Sequence, residues 1–155
     1  MAVDTNLLLY AHRADSPFHE RALASIVGLA EGRSAWAIPW SCLHEFVSTT
    51  THPWVFDPLT KASVAIAAVN GWLASLTLQV LQVLQVLQVL QVSQEAPAHW
   101  QVICERITLG RIDGPRMHDA PIAAVCLGNG VREFWTADRD FNRFPSLTVR
   151  NPLIG

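Results

Sequence analysis

At 155 residues the chain has room for one ordinary domain and not for two. Half of its residues are hydrophobic and 15% are charged, which excludes intrinsic disorder and requires a packed core. Thirteen acidic against eleven basic residues leave a formal charge of −2, so no global basic field marks a nucleic-acid binder and local charge must carry any such role.

Met1-Ala2-Val3 runs directly into Asp4, without the charged start and apolar core of a secretory leader, and the expected compartment is the cytoplasm. The triplet Asp4-Thr5-Asn6 stands between that short apolar start and the apolar run Leu7 to Tyr10, as at a strand-to-helix junction, with Asp4 at the strand's end. Ser16-Pro17 reads as an N-cap and first-turn proline of a helix carrying Ala22, Leu23, Ile26, Val27 and Ala30 at helical spacing. Residues 35–39 read as a short buried strand. Ser41 then caps a helix with Cys42, Leu43, Phe46 and Val47 on its apolar side and Glu45 near its N-terminal end. Asp57-Pro58 predicts the opening of a further helix whose apolar stripe is Ala62, Ile66, Val69, Leu73 and Leu76. Pro97 predicts a fourth, with Trp100, Ile103, Cys104 and Ile107. His118-Asp119 opens a helix that runs through Cys126 and closes at Gly128-Asn129-Gly130. Residues 133–137 and 147–149 read as strands, with Asp138-Arg139-Asp140 directly after the first.

This alternation predicts an α/β fold, three layers deep, with a central mostly parallel sheet and ligands outside the carboxyl ends of its strands. Leu-Gln-Val recurs five times over residues 78–92, a period of three that suits neither a helix face nor a strand face. It reads as an expansion within a connecting segment. Uncharged and rich in Leu and Val, it is also an aggregation risk. Asn70 and the recurring glutamines argue against a membrane span over the uncharged stretch 62–94. Cys42, Cys104 and Cys126, odd in number and widely spaced, suit neither a disulfide framework nor a zinc site and read as reduced core thiols.

The informative polar residues are Asp4, Glu45, Asp119 and Asp138, with Asp140 two positions beyond the last. Any one of them alone is an ordinary cap or turn residue. As a set facing one crevice they repel each other unless a cation intervenes, and hard oxygen donors suit Mg²⁺ or Mn²⁺. Such a cluster is suited to phosphodiester hydrolysis. Asn6 and Thr136, each two residues from an acid, are spaced to orient a carboxylate or a bound water. Ten of the eleven basic residues are Arg, and Arg13, Arg116, Arg139 and Arg143 fall near the acidic crevice as phosphate-binding candidates. Of the six tryptophans, most are expected to pack in the core, with Trp54 as a candidate for stacking on a base.

The segment Val3 to Ala11, Pro39-Trp40 through Glu45-Phe46, His118-Asp119-Ala120 with Ile122-Ala123-Ala124, and Thr136 to Phe141 with Phe144-Pro145 and Asn151-Pro152 together resemble a PIN domain. The match is closest to the VapC-type toxins of bacterial toxin–antitoxin modules. The resemblance implies a single PIN domain over residues 1–155, with the repeat as a low-complexity insertion at 78–92. It implies a Mg²⁺-dependent endoribonuclease, the toxin of a type II module, homodimeric and held inactive by a cognate VapB-type antitoxin. Asp4, Glu45, Asp119 and Asp138 match the family's acidic quartet, with Asp4 and Asp119 as principal metal ligands and Asn6, Thr136 and Asp140 in support. Two departures stand out: Met1-Ala2-Val3 is shorter than the family's first strand, and the repeat lies where a short connector between two helices is expected. Those departures motivate the alternative of a catalytically inactive PIN-like module that binds RNA or protein. His118-Asp119 also matches an HD-type phosphohydrolase dyad, but that fold is all-helical and the surroundings of Asp4 and Asp138 read as strand ends.

Overall fold

The computed structural model describes residues 1–82 and 119–154. The elements in chain order are β1 (Ala2–Val3), α1 (Thr5–His12), α2 (His19–Ala30), β2 (Trp36–Pro39), α3 (Trp40–Thr50), α4 (Ala62–Leu73), β3 (Leu78–Leu81), α5 (Asp119–Gly128), β4 (Glu133–Trp135), a 3₁₀ turn (Arg139–Arg143) and β5 (Thr148–Arg150). The strands form one sheet in the order β3-β2-β1-β4-β5, and every pairing is parallel. The steps β1 to β2 and β2 to β3 run one way across the sheet, whereas β4 lies on the far side of β1. Right-handed crossovers then put α1 to α4 on one face and α5 on the other, the α/β architecture that the alternation predicts. The order reverses at β1, so the crevice for a ligand lies at the carboxyl ends of β1 and β4.

The strands are short and buried. Ala2, Val3, Trp36, Ala37, Ile38 and Phe134 lie in one core with Leu7 and Leu8 of α1, Phe46 of α3 and Ala123 of α5. Phe46 is fully buried and meets the rings of His12 and Trp72 edge-on, with centroids 5.2 and 4.8 Å apart. α5 ends as the sequence indicates: Val131 N–H reaches Cys126 O and Gly130 N–H reaches Leu127 O, the paired bonds of a Schellman ending. Gly130 takes φ +76°, which a side chain would disfavour.

Three helix starts differ from expectation. Ser16 Oγ accepts from Phe18 N–H within a turn, and α2 begins only at His19, because the chain is still turning after α1. Ser41 lies inside the first turn of α3, with Pro39 at the cap position, since β2 runs straight into the helix. Asp57-Pro58 belongs to a loop rather than a helix start. That loop is tied down by Arg13, which donates to Pro58 O at 2.7 Å, and by Thr60 N–H, which donates to Thr50 O at 2.9 Å, and α4 starts at Ala62.

The stripe expected on α4 is also rotated. Ala65 is buried and Ala68, Val69 and Trp72 pack against the core, while Ile66 is 51% exposed and Ala62, Leu73 and Leu76 are exposed too. The helix is apolar nearly all round, so no polar face selects the buried side. The Leu-Gln-Val repeat does not begin in a connector: Leu78-Gln79-Val80-Leu81 form the edge strand β3, in register from Trp36↔Leu78 to Pro39↔Leu81. The repeat from residue 83 on, the helix expected after Pro97 with Trp100, Ile103, Cys104 and Ile107, Arg116, and His118 lie outside the described residues. Cys42 and Cys126 are free and buried. Among the described residues no helix is long and apolar enough to cross a membrane.

Replacing Phe46 by Ala leaves a cavity at the junction of α1, α3 and α4 and is expected to cost about 3–5 kcal/mol in urea unfolding. Ile66→Ala, on the exposed side of α4, should stay within about 0.5 kcal/mol of wild type when both are measured at dilutions where the protein is monomeric. Equal losses for the two would contradict the orientation of α4.

Candidate active site

β1 delivers Asp4 to the carboxyl edge of the sheet, where its backbone N–H donates to Trp135 O at 3.0 Å and so extends the β1–β4 pairing by one residue. Its side chain caps α1: Oδ1 accepts Thr5 N–H at 2.8 Å. Oδ2 accepts from Thr136 Oγ1 at 2.6 Å and from Asn6 Nδ2 at 2.7 Å. Asn6 Nδ2 also donates to Thr136 Oγ1, and Asn6 Oδ1 accepts Ala137 N–H. Thr136 Oγ1 in turn accepts Asp138 N–H at 2.9 Å. One polar mesh therefore locks the end of β1 to the end of β4 with every partner satisfied.

The other acids occupy different places around this mesh. Glu45, on the second turn of α3, accepts from Thr5 Oγ1 at 2.6 Å, so Thr5 bridges two carboxylates, one through its N–H and one through its hydroxyl. Asp119 stands in the first turn of α5, where the free N–H groups of the helix end favour negative charge. Asp138 is exposed, and its Oδ1 accepts Asp140 N–H to cap the 3₁₀ turn. Asp140 also pairs with Arg143, Nε to Oδ1 3.7 Å. The structure brings Glu45 and Asp119 each within electrostatic reach of Asp4, and Asp138 joins the mesh through its backbone bond to Thr136. Thr5 was not singled out in the sequence as a functional position; its only signal is its place between Asp4 and Asn6. Arg13, expected near the crevice, instead forks onto Asp15, lies over the Phe56 ring and is only 9% exposed. It serves the 51–61 loop rather than a phosphate.

Asp4 is 5% exposed. Burial pushes its carboxyl up to about 6 from the usual 3.8, the bonds from Thr136 and Thr5 act the other way, and the charges of Glu45 and Asp119 add to the rise. Cys42, whose Sγ lies 3.8 Å from Asp4 Oδ1, is pushed well above the ordinary thiol range, first by burial and then by the Asp4 charge, and stays a thiol. Three of the roughly four lone-pair positions of Asp4 accept short bonds, and the Cys42 thiol is a long, weak donor to the fourth, on Oδ1. A hard cation at Oδ1 would have only that weak donor to displace. Among the described residues no three acidic, His or Cys side chains form a closed metal cage. A cation that relieved the mutual repulsion of Asp4, Glu45 and Asp119 would be a hard, oxygen-preferring one, completing its shell with water or substrate oxygens.

Because folding raises the affinity of Asp4 for its proton, ionising it costs folded-state stability. That cost is full above pH 6, falls as the pH drops through 6, and vanishes below 3.8. Between about pH 7.5 and pH 5 the metal-free wild type should gain about 1 kcal/mol relative to Asp4→Asn, read from urea midpoints in EDTA. Parallel pH profiles for the two proteins would show that Asp4 is not desolvated as described.

Comparison with known proteins gives concordant matches. The PIN domain model matches residues 1–147. Ribonuclease VapC43 of Mycobacterium tuberculosis is 30% identical over 155 residues, covering 100% of this chain and 97% of that protein. Among solved structures, VapBC2 from Rickettsia felis, bound to a DNA fragment from its promoter, superposes with a TM-score of 0.62 at 18% identity, over 97% of this chain and 96% of that one. VapC20 of Mycobacterium tuberculosis, a toxin that cleaves the sarcin–ricin loop, gives 0.56 at 16% identity over 91% and 92%.

Proposed function

This chain belongs to the PIN domain family, and from that premise we propose that it is a Mg²⁺-dependent endoribonuclease, the toxin of a type II toxin–antitoxin module, that hydrolyses RNA phosphodiester bonds. The observation that carries the reading is the buried Asp4, held by Thr136, Asn6 and Thr5 at the point where the strand order reverses, with Glu45 and Asp119 as its like-charged neighbours. Glu45 and Asp119 both add to the cost of ionising Asp4, and a cation seated beside Asp4 would offset that cost.

Asp4 and Asp119 are the residues that would hold Mg²⁺, an ion that takes one or two carboxylates and keeps several waters; Mn²⁺ has the same donor preference. When bound, the ion supplies positive charge against the developing charge of the phosphate and lowers the pKa of water. The protein's part is to orient. The bonds from Thr136 and Asn6 to Oδ2 hold the Asp4 carboxylate in one orientation. Glu45, fixed by Thr5 Oγ1, is placed to accept a proton from the attacking water. Asp138 borders the same edge from the 3₁₀ turn, with Asp140 completing that turn. In the proposed step, water oxygen bonds to phosphorus and the bond from phosphorus to the 3′ oxygen breaks. That oxygen takes a proton, leaving 3′-hydroxyl and 5′-phosphate ends.

The relatives' name as VapC ribonucleases and the VapBC neighbour support RNA as substrate and a VapB-type antitoxin as partner. The exposed apolar side chains Val64, Ile66 and Leu73 on α4 support self-association, and a homodimer is the proposed assembly. The lack, among the described residues, of a helix fit to span a membrane is in keeping with the proposed cytoplasmic location. An inactive binding module is the weaker reading, because all four acids are present and the Asp4 mesh is complete.

Purified wild type should cut total RNA into discrete fragments with Mg²⁺, cease in EDTA and resume when Mg²⁺ is restored. Asp4→Asn should be inactive with an unchanged circular dichroism spectrum. Thr136→Val, which removes the hydroxyl but keeps the shape, should lose about 10–100-fold in rate. A folded wild type that leaves every RNA intact would favour the inactive binding module.

A further inference from the structure

Asp4, Trp40 and Gln82 each stand one residue past the carboxyl end of adjacent parallel strands, β1, β2 and β3. The registers Ala2↔Ala37 and Pro39↔Leu81 bring these three exits to one edge of the sheet, about 5 Å apart from strand to strand. At the ends of β2 and β3 that edge opens into a cleft of about 350 Å³, lined by Trp40, Ser41 and His44 of α3, Leu81 and Gln82, and Pro121 of α5. Two of its lining residues share helices with the acids. Ser41 precedes Glu45 by one helical turn on the same face of α3, and Pro121 lies two residues past Asp119.

Trp40 is 41% exposed, and its ring meets that of His44 edge-on with centroids 4.9 Å apart. A neighbouring ring therefore positions the indole while much of it stays open to solvent. Trp54, the tryptophan expected to stack on a base, is 90% exposed but lies beyond the other end of α3, roughly 15 Å of helix from the strand ends. Among the described tryptophans, the exposed one at the strand ends is Trp40.

We propose that this cleft is a base-binding subsite, in which a nucleobase next to the scissile phosphate of single-stranded RNA stacks on Trp40 and presents its edge to Gln82 and Ser41. A nucleobase is flat, with two π faces and a polar rim, and this cleft offers an aromatic wall with an amide and a hydroxyl at hand. The backbone of the same strand would then pass the Asp4 crevice one strand over. The inference rests on RNA as the substrate of the proposed function but does not require that cleavage occur.

The test measures binding of fluorescein-labelled A, C and U homopolymers of about 12 nucleotides to Asp4→Asn protein, to its Trp40→Phe and Trp40→Leu derivatives, and to its Gln82→Ala derivative. Leu keeps apolar bulk without a ring, so Trp40→Leu should weaken binding about tenfold and Trp40→Phe only slightly. Gln82→Ala should alter the ranking of the three homopolymers, with melting temperature unchanged. Equal affinities for the Phe and Leu variants overturn the proposal, as does a parent that binds none of the three RNAs; the first result would leave the cleft to a protein partner. A wild type that binds with this ring dependence yet cuts nothing in Mg²⁺ sinks the nuclease reading and upholds the subsite. Cleavage by a wild type whose RNA affinity ignores the ring does the reverse.

Discussion

The bond from Thr136 Oγ1 to Asp4 Oδ2 joins residues 132 positions apart and makes one site out of two strand ends. Around it Asn6 contacts both partners, and Asp4 N–H takes the carbonyl of Trp135. A carboxylate sealed from water is unfavourable in itself, and three short donors offset only part of that. The fold keeps it because the junction of β1 and α1 does two things at once. Asp4 caps a helix through Oδ1 and pins β4 through Oδ2, and the negative charge left over becomes the chemical feature of the crevice.

Every acidic neighbour is placed by an element that has a structural reason to be there. α3 emerges from β2 without a loop, so Glu45 rides at a fixed height above the sheet and meets Thr5. α5 begins at Asp119, whose charge its helix end favours. Asp138 caps the short turn that carries the chain from β4 toward β5. Asp4 is both the cap of α1 and the proposed metal ligand, so loss of a cap and loss of a ligand would be entangled there and separable at Thr136.

The sheet itself is lean. β1 contributes two residues and β4 and β5 three each, so its cohesion comes from helices packed on buried apolar side chains rather than from long ladders. Its outer edge, β3, is built from the repeat, and a parallel edge strand of Leu, Gln and Val without charge has little to discourage pairing with another chain. Besides its own ladder with β2, it is secured by polar groups just before the repeat. Trp36 N–H donates to Thr77 O, Ser75 Oγ donates to Ala30 O, and Trp36 Nε1 reaches Ser75 Oγ.

Much of this molecule is decided locally and is legible in the sequence. The Asp4-Thr5-Asn6 junction, the glycine-closed end of α5 and the alternation of strands with helices follow from caps, turn residues and hydrophobic spacing, which act over a few residues. Other features were decided only in three dimensions. α4 is apolar on nearly every side, so its buried face was set by what Phe46 and its neighbours offered and not by its own pattern. Arg13 found Asp15 and the Pro58 carbonyl instead of the crevice because α1 and the 51–61 loop meet there. The repeat contains the tetrad Leu-Gln-Val-Leu at residues 78–81, 81–84, 84–87 and 87–90, four identical candidates for one strand. No local preference separates identical sequences. The first is selected because Ser75 and Thr77, which occur once, anchor the chain beside Trp36 and Ala30, contacts 39 and 45 residues away that only the folded sheet brings together.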